Sequence, residues 1–329
     1  MRKMQQTKLF KKGWPVLFFS MLLIGISSCD LMDSPEAIVN ENDALTYEKN
    51  LGNRPVNNPV LFSYYGHQSG LFSWGNNYIA NTFKTNYLNA NMAIKTLDAA
   101  GNSSINGKIG ILEIGGSNPA IIYEGLKTNQ LNDAGFGSKL TFVNAGMNAM
   151  DFSDILKPTT NYWTNVQTFL NQSGITAAQV QVIFCIEDNL KNLDVTFNRA
   201  TSLQNDYISL LNLVRSKYPN CKLFLVGDRG YSGYATDPRH KEPIGYLNGW
   251  GVKLFVQQYT DGLLPMYPAV DWLDYYWANG ETPRFDGLTY SEDDYRPGFI
   301  HFSDEKAEEL GAGTHAKLKS DIGTSYWYK

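Results

Sequence analysis

The chain has 329 residues, 43% of them hydrophobic and 18% charged, with a formal net charge of -4. This length and apolar content are ample for one large core, and the acidic balance without a basic stripe argues against a nucleic-acid partner, because binding phosphates draws on clustered Lys and Arg. Three cysteines without a CxxC pair, and four histidines without a dense His/Cys cluster, give no basis for a structural zinc site.

The first elements concern targeting. Arg2, Lys3, Lys8, Lys11 and Lys12 precede an apolar stretch from Trp14 to Ile26, which closes in Ile26-Ser27-Ser28-Cys29. The stretch falls short of the ~20 apolar residues of a membrane span, so a cleaved secretory signal over residues 1–28 is expected. Small residues before cysteine resemble a bacterial lipobox, which would make Cys29 the lipidated N-terminus and the bacterial cell envelope, with the outer membrane favoured, the location. Loss of residues 1–28 removes five basic and no acidic residues, taking the formal charge to -9. Residues 29–57 carry Asn, Glu, Asp and Pro with few large apolar groups, as a tether would. Residues 58–329 would form the domain, of which 58–106, rich in Tyr, Asn and Gly without clear periodicity, reads as irregular structure against the core.

The domain proper alternates apolar runs with amphipathic stretches. Strands are predicted at 109–114, 140–144, 180–187 and 222–227, and a helix at 201–216 with Leu203, Tyr207, Leu210, Leu211 and Val214 on one face. Near-continuous apolar runs separated by helices indicate an α/β fold, a three-layer α/β/α arrangement with a mostly parallel sheet. Chemistry in such folds gathers beyond the carboxyl ends of the strands. That directs attention to 115–119, 145–154, 187–198, 228–243 and the segment carrying His301. Cys185 and Cys221 lie in or beside apolar runs and read as buried free thiols.

Two residues stand out. Gly115-Gly116-Ser117-Asn118-Pro119 follows the first strand, and Pro119 suits the first turn of a helix, so Ser117 falls at a strand-to-helix junction as either a nucleophile or a helix cap. His301 precedes Ser303-Asp304-Glu305, a helix-opening sequence, and so lies on a capped loop, as a base or as an ordinary surface residue.

In order along residues 107–318, four blocks resemble the SGNH or GDSL hydrolases: Gly115-Gly116-Ser117-Asn118, Val143-Asn144-Ala145-Gly146-Met147-Asn148-Ala149, Cys185-Ile186-Glu187-Asp188-Asn189 and Gly298-Phe299-Ile300-His301. Tyr231-Ser232-Gly233-Tyr234-Ala235 and Thr282-Pro283-Arg284-Phe285-Asp286-Gly287-Leu288-Thr289 are similar to segments of a secreted bacterial subgroup. The resemblance implies acyl transfer to water, with Ser117 attacking an ester carbonyl, His301 as base, and the oxyanion held by groups near Ser117 and Ala149. Its departures are specific. The acid expected three residues before the histidine is Gly298, leaving Asp293 or Asp294 as a substitute acid. The expected oxyanion Asn is Glu187, whose charge would oppose catalysis unless it is protonated or turned away, with Asn189 as a replacement two residues on.

Two functions follow. One is an envelope-anchored monomeric esterase acting on an ester-bearing small molecule or carbohydrate, without metal or cofactor. The other is a non-catalytic surface protein that binds glycan through Trp272, Tyr275, Tyr276 and Trp277, helped by Arg284 and Arg229; the same aromatic run also suits a core. The acidic run at 292–294 lacks the alternating oxygen ligands of a calcium loop, no phosphate-binding glycine motif accompanies any strand, and no internal repeat is evident.

Overall fold

The computed structural model describes residues 54–328. The signal segment, Cys29 and most of the tether lie outside the described residues. Five strands form one parallel sheet: β1 (Ile109–Gly115), β2 (Leu140–Gly146), β3 (Val180–Ile186), β4 (Leu223–Gly227) and β5 (Ala269–Asp274). Their order is β2-β1-β3-β4-β5. Every residue of β1, β3 and β4 is buried, which is why these strands read as unbroken apolar runs. The helices are α1 (Asn81–Met92), α2 (Ser117–Leu131), α3 (Tyr162–Gln172), α4 (Asn198–Lys217), α5 (Ile244–Thr260) and α6 (Asp304–Ser320).

Strand order and handedness assign the layers. The first crossover, through α2, steps from β1 to β2; the next three step the other way, through α3, α4 and α5. Right-handed crossovers therefore put α2 on one face and α3, α4 and α5 on the other. In accord, α6 packs on α2 and α5 on α4. The result is a three-layer α/β/α fold. Gly125 of α2 and Gly311 of α6 let those two helices touch backbone to backbone, since a Cβ on either would overlap the facing main chain. Because α6 follows His301 and α2 begins at Ser117, this contact brings together segments 184 residues apart.

The four expected strands and the helix at 201–216 are present with slightly different ends. Residues 58–106, expected to be irregular, contain α1 and a short hairpin pairing Ser63–Tyr64 with His67–Gln68. Helix α1 escaped notice because it is rich in asparagine and buries a polar side chain: Asn91 donates to Tyr87 O at 2.8 Å and accepts from Trp327 Nε1 at 2.7 Å. The fifth strand was missed because Asp271 and Asp274 interrupt its apolar run; it is an edge strand on which both are only partly buried. Cys185 and Cys221 are buried and unpaired. Residues 292–294 make a single 3-10 turn.

Candidate active site

The direction of chain progression reverses between β1 and β3, so the loops leaving these neighbours diverge to opposite faces and open a crevice at their carboxyl ends. A cleft of about 960 Å³ lies there, lined among others by Ser117, Ala149, Glu187, Asp188, Arg229 and His301. Each of the loops expected to matter contributes to it.

Ser117 is the first residue of α2, after extended Gly116 in the cap position. Its hydroxyl caps nothing in the helix. Instead Ser117 Oγ lies 2.7 Å from His301 Nε2. That distance is a full hydrogen bond, with the hydroxyl as donor when the neutral ring carries its proton on Nδ1. Burial first, then the positive charges of Arg296 and Arg229, hold the His301 pKa below its ordinary value, so the ring is neutral at pH 7 and free to accept a proton.

The His301 loop is a small braced hairpin. Tyr295 bridges Phe302, Arg296 N–H donates to His301 O at 2.8 Å, and Ser303 caps α6 by accepting from Lys306 N–H. Asn118, beside the serine, donates through Nδ2 to Ile300 O at 2.9 Å, beside the histidine. Gly298 sits at φ +92. An aspartate there would adopt a left-handed backbone at a cost of about 1–2 kcal/mol, which favours glycine at this position.

No carboxylate among the described residues pairs with His301. Asp294 does not serve as its acid: as the third residue of the 3-10 turn it folds back, accepting from Ser291 N–H at 2.7 Å and Ser291 Oγ–H at 3.2 Å, with Lys306 Nζ 3.8 Å away. Asp293 is exposed. Ser117 and His301 thus form a hydrogen-bonded pair without a carboxylate on the imidazole among the described residues.

Of the oxyanion candidates, Ala149 lines the cleft at φ +59, in the region that favours glycine, with no acceptor for its N–H among the described residues. Ser117, first in its helix, likewise has an N–H without an intrahelical acceptor. Asn189 is turned away: its Nδ2 donates to Asp206 Oδ2 at 3.1 Å, which ties it to α4 instead of the cleft. Glu187 is 6% exposed, packed beside Gly116, where a Cβ would stand 3.5 Å from Oε2. Its Oε1 accepts from Asp188 N–H at 2.8 Å and its Oε2 has no partner among the described residues. Burial, opposed by that hydrogen bond and reinforced by Asp188, Asp151 and Glu113, pushes its pKa far up. Burial thus favours the neutral acid of Glu187, the form that would not repel an oxyanion.

The aromatic platform does not exist. Trp272, Tyr275, Tyr276 and Trp277 are all buried: Trp272 Nε1 donates to Leu71 O, Tyr275 OH accepts from Val56 N–H, and Trp277 Nε1 donates to Glu242. Arg284 is engaged beneath them with Asp286 and the Tyr275 carbonyl. Arg229, in contrast, reaches the cleft and ion-pairs with Asp188, which Arg199 binds from the other side. Burial would raise the Asp188 pKa, but the two guanidinium groups outweigh it and keep the carboxylate ionised. His240, given no role from the sequence, lines the same wall; its only signal was its place in the loop after β4.

No protein-family model matches the chain, and no curated protein matches it. Solved structures that are similar include a protein from Arabidopsis thaliana, at 10% identity and a TM-score of 0.38, covering 65% of this chain and 99% of that one. A protein from Parabacteroides merdae named for likeness to GDSL lipases aligns at 11% identity and a TM-score of 0.38 over 67% of this chain and 97% of that one. A salicylyl-acyltransferase from a tetracycline biosynthetic pathway aligns at 11% identity and a TM-score of 0.35 over 68% of this chain and 58% of its own.

Proposed function

We propose that this chain is a serine esterase of the SGNH type that transfers an acyl group from an ester to water through the Ser117–His301 dyad. The observation that carries this reading is the 2.7 Å contact between Ser117 Oγ and the ring of His301 in the cleft at the carboxyl ends of the strands. His301 takes the Ser117 proton as Oγ attacks the carbonyl, and the resulting imidazolium protonates the leaving alcohol. The Ser117 and Ala149 N–H groups are the oxyanion donors. The acyl-enzyme then yields to water activated by the same histidine. Without a carboxylate to stabilise the imidazolium the rate is lowered, as in triads deprived of their acid, yet catalysis persists.

The substrate class we propose is a small acyl ester on carbohydrate, hydrolysed by a monomer held at the bacterial envelope through lipid on Cys29. The alternative is a binding protein on a hydrolase scaffold, favoured by one observation: His301 has no acid partner among the described residues. Hydrolysis of p-nitrophenyl acetate by the domain lacking residues 1–29, beside Ser117→Ala and His301→Ala, separates the two. Turnover that both substitutions abolish supports the esterase; folded proteins that all fail to turn over support the binder.

A further inference from the structure

One wall of the cleft carries cationic donors that the hydrolytic chemistry does not use. Arg229 follows β4, its backbone fixed by donation to Asn248 Oδ1 at 3.0 Å, and its side chain is all but buried. Nη1 donates to Asp188 Oδ2 at 2.9 Å and Nη2 to His240 Nδ1 at 2.8 Å. A guanidinium has five N–H bonds and no acceptor, so three remain after these two partners. Asp188 does not neutralise the wall alone, because its other oxygen accepts from Arg199 Nη2 at 2.7 Å: two guanidiniums share one carboxylate. Other nearby acids have partners of their own: Asp237, whose charge also reaches His240, pairs with Arg239 at 2.6 Å, Asp151 with Lys191 at 4.0 Å, and Asp206 on α4 with Asn189.

Because arginine can only donate, His240 Nδ1 must accept, which leaves the proton on Nε2. Burial, then the charge of Arg229, pushes the His240 pKa down to about 4, so this tautomer is neutral and stable at pH 7. Arg229 is also close enough to His301 for its charge to depress that residue's pKa. The wall therefore offers an arginine fork and an imidazole N–H beside the dyad. A neutral substrate would leave these donors desolvated and unpaired, whereas a planar anion would satisfy them with charge-assisted bonds.

We propose that Arg229 and His240 form an anion subsite that selects an ester substrate bearing a carboxylate, as an O-acetylated uronate does. This rests on the esterase reading for the acyl half of the substrate. Arg229 holds the carboxylate, His240 Nε2–H orients it, and the ester carbonyl is presented to Ser117.

The test compares kcat/KM on O-acetylated methyl glucuronoside and O-acetylated methyl glucoside for the parent, Arg229→Gln and His240→Ala. The parent should prefer the acidic sugar by about tenfold or more, and Arg229→Gln should bring the two within about twofold. Arg229→Lys keeps the pairing with Asp188 but lacks the fork, so an intermediate preference in a folded Lys variant answers for any unfolding of the Gln variant. Equal use of both sugars by the parent would overturn the subsite while leaving the esterase intact. If neither ester is hydrolysed, the esterase reading fails separately, and calorimetric titration with methyl glucuronoside decides the subsite: binding that Arg229→Gln removes upholds it, and absence of binding overturns it.

Discussion

Asn118 and Ile300 join the two halves of the dyad: the Asn118 amide donates to the Ile300 carbonyl at 2.9 Å, between the residue that follows Ser117 and the residue that precedes His301. With no acid on the imidazole among the described residues, side-chain tethers of this kind hold its loop in place. Asn118→Ala should therefore lower kcat about tenfold with little change in KM, while circular dichroism stays native, because small losses of alignment are magnified in rate. An unaltered kcat would show that the hairpin alone positions His301.

The acidic limb of activity should fall below pH 6.5, since the base must be neutral and its pKa is depressed. Arg296 contributes to that depression, so Arg296→Gln should move the limb upward by a few tenths of a pH unit at low salt and by less at high salt, where exposed charges are screened. A limb that does not respond would mean burial acts alone.

Glu113 and Glu187 make folding sensitive to alkali. Burial pushes the Glu113 carboxyl up from its ordinary 4.5 to about 8, and Glu187 is also raised. A raised carboxyl keeps in the folded state a proton that the unfolded chain has released, so stability is fullest below about pH 4.5 and is lost as pH rises through about 8. Glu113→Gln should flatten that loss and stabilise the protein at pH 9 by ~1–3 kcal/mol, read from urea midpoints. Glu187→Gln, isosteric with the neutral acid, should retain turnover within about threefold, whereas a tenfold or greater fall would give the ionised form a role.

Among the described residues, Asp188 is the only carboxylate bridging two buried guanidiniums. Asp188→Asn strands both, and should cost about 3–5 kcal/mol in chemical denaturation. A loss under about 1 kcal/mol would mean that water or a neighbouring acid reaches Arg199 and Arg229.

The fold was legible where burial is uniform. Strands β1, β3 and β4 are covered on both faces and so appear as apolar runs, and α4 shows its buried stripe at helical spacing. Edge strand β5 and helix α1 were not legible, because acidic residues break the apolar run of the strand and the buried amide of Asn91 in the helix is satisfied by Trp327, a partner that no local pattern encodes. Ser117 and His301 could be singled out from ordered sequence blocks, and the geometry joins them. Asn189 could not be placed from spacing, since a two-residue offset turned its amide toward Asp206. The aromatic run at 272–277 misled for a related reason: composition is the same for a platform and for a core, and only tertiary contacts distinguish them. The Arg199–Asp188–Arg229–His240 wall joins residues from two loops and a helix, so nothing in any one segment announced it.

The central claim is that Ser117 is a nucleophile activated by His301. Labelling the domain with a fluorophosphonate and locating the adduct by peptide mass spectrometry tests it most directly. The account predicts a single adduct on Ser117 that forms at neutral pH, is absent from Ser117→Ala and is slowed at least a hundredfold in His301→Ala, in keeping with the ~10²–10⁴-fold contribution of a positioned base. A folded protein that takes no label, or takes it equally well without His301, would contradict it.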